Sequence, residues 1–300
     1  MPYSPDDPRS QLSGRAATAL SGTRAAQTFE FDAIEPDEVT PLGSRHWYVR
    51  SETAALVFTR AVAGDTFMRT DQIDEYVALS PGPEAQVAVR AGSVATGMRG
   101  EAVVVVPPGN SAIALDRDGI LVRLFSCRTA DVLGRCRNSA LYDTVDPNVA
   151  PFAPWPDPPS GFGVHGYRLS DYRAEAGRFG RIFRCSTIMV NYLEADSGAR
   201  DTRKLSPHHH DDFEQLSLQI EGDYVHHLRA PWTPNLTDWR PDEHRETRSP
   251  ALTIIPPPLV HTSRGVGDTR HQLVDLFCPP RRDFSDRPGW VLNAEDYPLT

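Results

Sequence analysis

The chain has 300 residues, of which 39% are hydrophobic, and a formal charge of -9. That is enough material for one large domain or two of ordinary size. The acidic balance argues against a nucleic-acid partner, because phosphate binding needs a basic face. Lys204 is the single lysine, so Schiff-base or lysine-nucleophile chemistry has one candidate, beside a run of histidines.

In chain order, residues 1–28 are rich in Ser, Pro, Ala and Arg without periodicity, and read as an N-terminal arm that is mobile or packs on a partner subunit. The opening "MPYSPDDPRSQLSGR" lacks the basic and apolar segments of a signal peptide. From residue 29 to 144, short runs such as "AALVFTRAV", "EYVALS", "AQVAVRAG", "EAVVVVPPG" and "GILVRLFSC" alternate with Gly, Pro, Asp and Asn. Many short strands with tight turns indicate a sandwich or barrel. The longest aliphatic run, "AVVVV", is too short to cross a membrane. Residues 145–165 are proline-dense and read as an extended linker. "SDYRAEAGRFG", 170–180, is the best short helical candidate. Strand-like runs then resume through 166–285: "RIFRCSTIMVNYLEA", "EQLSLQIEG", "DYVHHLRA", "ALTIIPPP" and "HQLVDLFCPP". Residues 286–300 form a C-terminal tail. The four cysteines include no CxxC pair, so a reduced, cytoplasmic protein is expected rather than a disulfide scaffold.

Two β-rich halves around a linker suggest an internal repeat. The second half has His208-x-His210, four residues, Gln215, six residues, Gly222. The first half, 140 residues earlier, has Met68-x-Thr70, Glu75 and Gly82. Pro256-x-Pro258-x-x-His261 matches Pro107-x-Gly109-x-x-Ala112, and "QLVDLF" at 272–277 matches "ILVRLF" at 120–125. The growing offset places an insertion at 231–244, "PWTPNLTDWRPDEH".

With these motifs the chain resembles a cupin, and as a whole a bicupin. The resemblance spans roughly 45–285. It implies an all-β protein of two tandem cupin barrels (double-stranded β-helix, or jelly-roll), which commonly form homodimers. It also implies one divalent transition metal ion (Fe, Zn, Ni or Mn) in the C-terminal barrel. Pro258 stands where the second motif usually has glycine, and no glycine lies at the expected place upstream of His208. Met68, Thr70 and Ala112 stand at the histidine positions of the N-terminal copy, which should leave it without metal.

The residues support the same chemistry. In a strand, His208 and His210 face one side and His209 the other. Imidazoles suit these metals, and His261 from a distant strand closes a face of the ion. The oxygen position has two candidates. The six-residue spacing to Gly222 favours Gln215, whereas the carboxylate of Glu214 binds a cation better. With Gln215 inward, Ser217 and Gln219 also face the cavity, and Leu216, Leu218 and Ile220 pack outside. With Glu214 inward, the aliphatics line the cavity. His226 or His227, one of which must face inward, or Glu214 if it is not a ligand, is a candidate proton carrier. Trp232 and Trp239 in the insertion read as a lid, an interface loop or a plug. Arg264 would suit an anionic substrate at the mouth.

A neutral ligand set leaves the ion its full charge and favours a small, anionic, chelating substrate such as a sugar acid or hydroxy-keto acid. The expectation is an isomerase or lyase with the metal as Lewis acid. The alternatives are a mononuclear non-haem Fe(II) dioxygenase and a non-catalytic metal-dependent binding barrel.

Overall fold

The computed structural model describes residues 22–299 apart from 174 and 176. The first twenty-one residues of the expected arm lie outside the described residues. The chain is all-β, as expected, and builds two jelly-roll barrels, each of one seven-stranded and one smaller sheet.

The first run of strands is β1 (Gln27–Glu30), β2 (Glu38–Val39), β3 (Arg45–Arg50), β4 (Ala54–Ala61), β5 (Thr66–Gln72) and β6 (Tyr76–Ser80). It continues through β7 (Gln86–Ala91), β8 (Val94–Arg99), β9 (Ala102–Val106), β10 (Gly109–Leu115) and β11 (Gly119–Ser126). A short helix α1 (Ala130–Leu133) and the proline-rich segment lead to β12 (His165–Arg168). The second run is β13 (Arg181–Arg184), β14 (Met189–Tyr192), β15 (Asp196–Ser197), β16 (Gln215–Glu221), β17 (Asp223–Arg229) and β18 (Glu243–Arg248). It ends with β19 (Ala251–Ile255), β20 (Val260–Val266), β21 (Arg270–Phe277) and helix α2 (Arg282–Ser285). No helix among the described residues is long and apolar enough to cross a membrane.

The large sheets have the orders β12-β9-β6-β11-β4-β3-β2 and β1-β19-β16-β21-β14-β13, with β15 on β21; the small ones are β5-β10-β7-β8 and β18-β17-β20. Strand pairing crosses the sequence divisions. β1 lies beside β19 of the second barrel, and β12 lies beside β9 of the first. Gln27 and Thr28, the last residues of the expected arm, thus belong to a sheet of their own chain. The 170–180 segment is not a helix: its described residues hold one 3-10 turn, Leu169–Asp171.

The two large sheets face each other, and their shared interface is the main core. Phe58, Leu56, Val77, Leu79, Val103 and Leu124 from one sheet meet Val190, Leu216, Leu218, Leu252, Ile254 and Leu276 from the other. Each sheet therefore has two covered faces, one towards its sister and one into its own barrel. This is why β4, β6, β9 and β19 read as continuous apolar runs. The barrel interiors differ. The first is filled by apolar side chains including Val57, Ala78, Val104, Ile113 and Phe125. The second is polar, with Asn191, Asp275, Ser217, Thr253 and Thr28 in one cross-strand row.

Two glycines of the second barrel pack against the ring of His271. A Cβ on Gly222 (φ +86°) would sit 2.5 Å from the ring of His271, and one on Gly265 would sit 2.6 Å from it. Gly222 is thus required by its backbone and by the buried imidazole beside it.

Candidate metal centre

His208, His210 and His261 meet inside the second barrel, with one donor nitrogen from each within 4.8 Å of the others. They are the one such histidine group among the described residues. The segment 206–214 is not a continuous strand; a single bridge, His208 to His261, fixes it. Two backbone hydrogen bonds hold that bridge, His208 N to His261 O at 3.0 Å and the reverse at 2.7 Å. The alternation expected of a strand nevertheless holds. His208 and His210 turn inward, while His209 is exposed and 3.2 Å from Asp211.

The ring orientations are set by the backbone. His208 Nδ1 lies 3.0 Å from Ser206 O, and His261 Nδ1 lies 2.9 Å from Leu259 O. A carbonyl only accepts, so both Nδ1 atoms carry the proton and both Nε2 lone pairs point into the cluster. His210 is buried against Phe213, with ring centroids 4.4 Å apart. Burial, and then the charges of Arg281 and the neighbouring histidines, hold its imidazole well below its ordinary pKa and therefore neutral.

Gln215, not Glu214, presents an oxygen to the cluster. Its Oε1 lies 2.7 Å from His210 Nε2 and 3.3 Å from His261 Nε2. Its amide N–H groups donate to Ser217 Oγ at 2.8 Å and Asp275 Oδ1 at 2.9 Å, and Ser217 donates to the same carboxylate oxygen at 2.8 Å. Asp275 thus fixes which end of the amide faces the histidines, a role that the sequence motifs do not reveal. An acid at an inward position of the apolar strand "QLVDLF" was the available signal. Asn191, one strand further round, is buried with neither amide atom paired among the described residues. Four neutral donors of this kind suit a divalent transition metal with open positions.

Several expected site residues lie elsewhere. Glu214 points away from the cluster to the other barrel, where it accepts from Glu52 N at 2.5 Å and from Tyr142 Oη at 3.4 Å. Burial pushes its carboxyl up to about 7. Alternation along β16 turns its neighbour Gln215 inward and Glu214 out. His227 sits on the outer face of β17, 2.7 Å from His244 Nδ1, and Arg264 Nε donates to it at 3.1 Å. Arg264 therefore faces outward as well. Trp232 and Trp239 stack on each other at 4.5 Å and stay exposed. Their loop leaves β17 at the end where Leu228 pairs with His261.

His226 and Gln219 face the interior. His226 is fully buried, with Nδ1 2.7 Å from Ser263 Oγ and Nε2 in contact with the amide of Gln219. Thr247 donates to Gln219 Oε1 at 2.9 Å, which turns the amide nitrogen towards His226. Both ring nitrogens are engaged, as in a satisfied core histidine. Burial lowers the pKa of His226 to about 3. Between 6.5 and 3 the unfolded chain binds a proton that the native one refuses, so stability is lost as pH falls through that window. His226→Gln should flatten the acid limb by up to ~3 kcal/mol in metal-free protein, as read by urea unfolding at pH 7 and pH 4. Equal slopes in both proteins would show that His226 is protonated in the native state.

No protein-family model matches this chain, and no curated protein matches it. Solved structures do. The oxalate decarboxylase of Lactobacillus farciminis in a formate complex is 13% identical over 94% of this chain and 95% of that one, with a TM-score of 0.57. The oxalate decarboxylase of Bacillus subtilis is 12% identical over 88% of this chain and 77% of that one, with a TM-score of 0.54. The shared fold is that of two tandem cupin barrels.

Proposed function

We propose that the second barrel is the catalytic centre of a metal-dependent enzyme acting on a small, anionic, chelating substrate, with one divalent transition metal on His208, His210, His261 and Gln215. The convergence of three imidazole nitrogens within 4.8 Å on the oxygen of a fixed amide carries this reading. When bound, such an ion polarises substrate oxygens as a Lewis acid.

The protein's own groups set the preference for an anion. All four donors are neutral, so they leave the charge of the site positive, and Asp275 one row below offsets part of it. His208 is only half-buried, so the cluster is approached from its side. Asn191 offers an unpaired amide on the inward face for a substrate oxygen. Of the three candidate proton carriers only His226 faces inward, and with both nitrogens engaged it acts as a positioning residue. The solved structures of this fold include enzymes named for decarboxylating oxalate, a small dianion, which supports a lyase over an isomerase.

The test is metal analysis of untagged protein, followed by a screen of hydroxy, keto and dicarboxylic acids with and without air. About one equivalent of metal per chain and turnover without O2 are the expected results. Turnover that requires O2 and iron would replace the lyase reading with the dioxygenase. Failure to bind zinc, manganese, nickel or iron would sink both.

A further inference from the structure

The two barrels share a strand plan, so their inward faces can be compared row by row. On the last strand the repeat sets Arg123 against Asp275. Register confirms the match: Asp275 pairs with Ser217 on β16 and Asn191 on β14, and Arg123 pairs with Ala78 on β6 and Val57 on β4. The acid sits among polar neighbours. The guanidinium sits between two side chains that accept nothing.

Arg123 is 6% exposed, and its Nε is buried without a hydrogen-bond partner. No ion pair reaches it among the described residues; its guanidinium carbon lies 5.2 Å from the centre of the Phe67 ring. The nearby acids are committed elsewhere. Glu38 pairs with Arg135 and accepts from Tyr48 Oη at 2.6 Å, and Asp131 holds Arg69 through two bonds of 2.6 and 2.9 Å. A buried cation without a counter-charge is strongly unfavourable.

The guanidinium opens on a cavity of about 190 Å³, whose walls include Glu38, already paired with Arg135, and His46, Tyr48, Phe67 and Phe125. That is room for about six waters, or for one small organic molecule. Burial and then the charge of Arg123 hold His46 down at about 4, so its imidazole is neutral at pH 7. Tyr76 and Ser111, bonded at 2.9 Å, take the places of Gln215 and His261.

We propose that this cavity is a second, metal-independent site that takes one small organic carboxylate on Arg123. The planar guanidinium fork matches a carboxylate, and the aromatic walls match an organic body better than a fully hydrated inorganic ion. The charge inversion between Asp275 and Arg123 then has a functional sense: one barrel is built to hold a cation and the other an anion.

The test measures binding of acetate, malonate and benzoate to the full chain by equilibrium dialysis and thermal unfolding. It is run also in a His261→Ala background, which removes the other site from the count. One of the three should bind saturably, at about one per chain, and raise Tm by about 5 °C at ~100 Kd. Arg123→Met should lose that shift and, without anion, unfold no earlier than wild type. Arg135 lines the cavity and its side chain is half-exposed, so Arg135→Glu leaves the core untouched. The new charge should weaken binding about fivefold or more. No saturable binding by any of the three, or unchanged affinity in Arg123→Met, overturns the proposal. If Arg123→Met does not fold, unchanged affinity in Arg135→Glu overturns it.

Discussion

His261→Ala is expected to purify folded but without metal, whereas His209→Ala should keep a full equivalent. Loss of the outer hydrogen-bonding partner of a metal ligand alone costs about 10–100-fold in affinity, so loss of a ligand should cost at least ~100-fold. His261 also shapes the backbone, where it forms the two-bond bridge to His208 that alanine preserves. The fold should therefore survive, with about 1–3 kcal/mol lost through the Leu259 carbonyl left without its donor. Metal bound only by the native state adds its own stabilisation, so a chelator should lower the Tm of wild type and leave that of His261→Ala unchanged. His209 is exposed and paired with Asp211, so its removal touches neither donor nor bridge. Wild-type metal affinity in His261→Ala would show that the site is assembled from other residues, and the catalytic reading would fall with it.

How far the site was legible depends on strand parity. In "EQLSLQIEG" polar and aliphatic residues alternate, and the folded strand follows that alternation. Leu216 and Leu218 join the interface between the large sheets, and Gln215, Ser217 and Gln219 face inward. Composition gave no such guide in "DYVHHLRA", where two adjacent histidines are equivalent until the partners of β17 are known. Ser263 and Gln219 select His226, and His244 takes His227. Glu214 was opaque for another reason: its partner Glu52 lies 162 residues away, on the sister barrel.

The first barrel shows the cost of matching motifs by spacing alone. The repeat sets Glu75 against Gln215, but the sheet register sets Tyr76 there and Glu75 against Glu214. Likewise the residues turned into the cavity are Phe67 and Arg69 rather than Met68 and Thr70, and Ser111 rather than Ala112. A register irregularity between Gly109 and Ser111 accompanies the change. A shift of one residue exchanges the two faces of a strand, so an aligned sequence that is right to within one position hides Arg123's surroundings altogether.

The corrected register exposes a reciprocal clamp, and its removal should be among the most damaging single changes outside the histidine cluster. Glu75, on the first barrel, accepts from Ser186 N at 3.0 Å, Ser186 Oγ at 2.6 Å and Tyr297 Oη at 2.6 Å. Ser186 lies between β13 and β14 of the second barrel. Glu214, on the second barrel, accepts from Glu52 between β3 and β4 of the first, and from Tyr142. Each barrel thus sends one buried glutamate into the same turn of its sister, and each glutamate meets a tyrosine from the segment that follows its sister. Glu75→Ala would strand three buried donors at once in a region closed to water. At about 1–3 kcal/mol per unsatisfied group, with some recovered by relaxation, the expected loss is ~3–5 kcal/mol in urea unfolding. Glu75→Gln keeps an acceptor oxygen but presents N–H groups to at least one donor, so it should recover about half of that loss. Metal content should be unchanged in both variants, because the clamp acts between the barrels and the ligands sit inside one. A loss below ~1 kcal/mol for Glu75→Ala would mean that the barrels are held by the apolar interface alone.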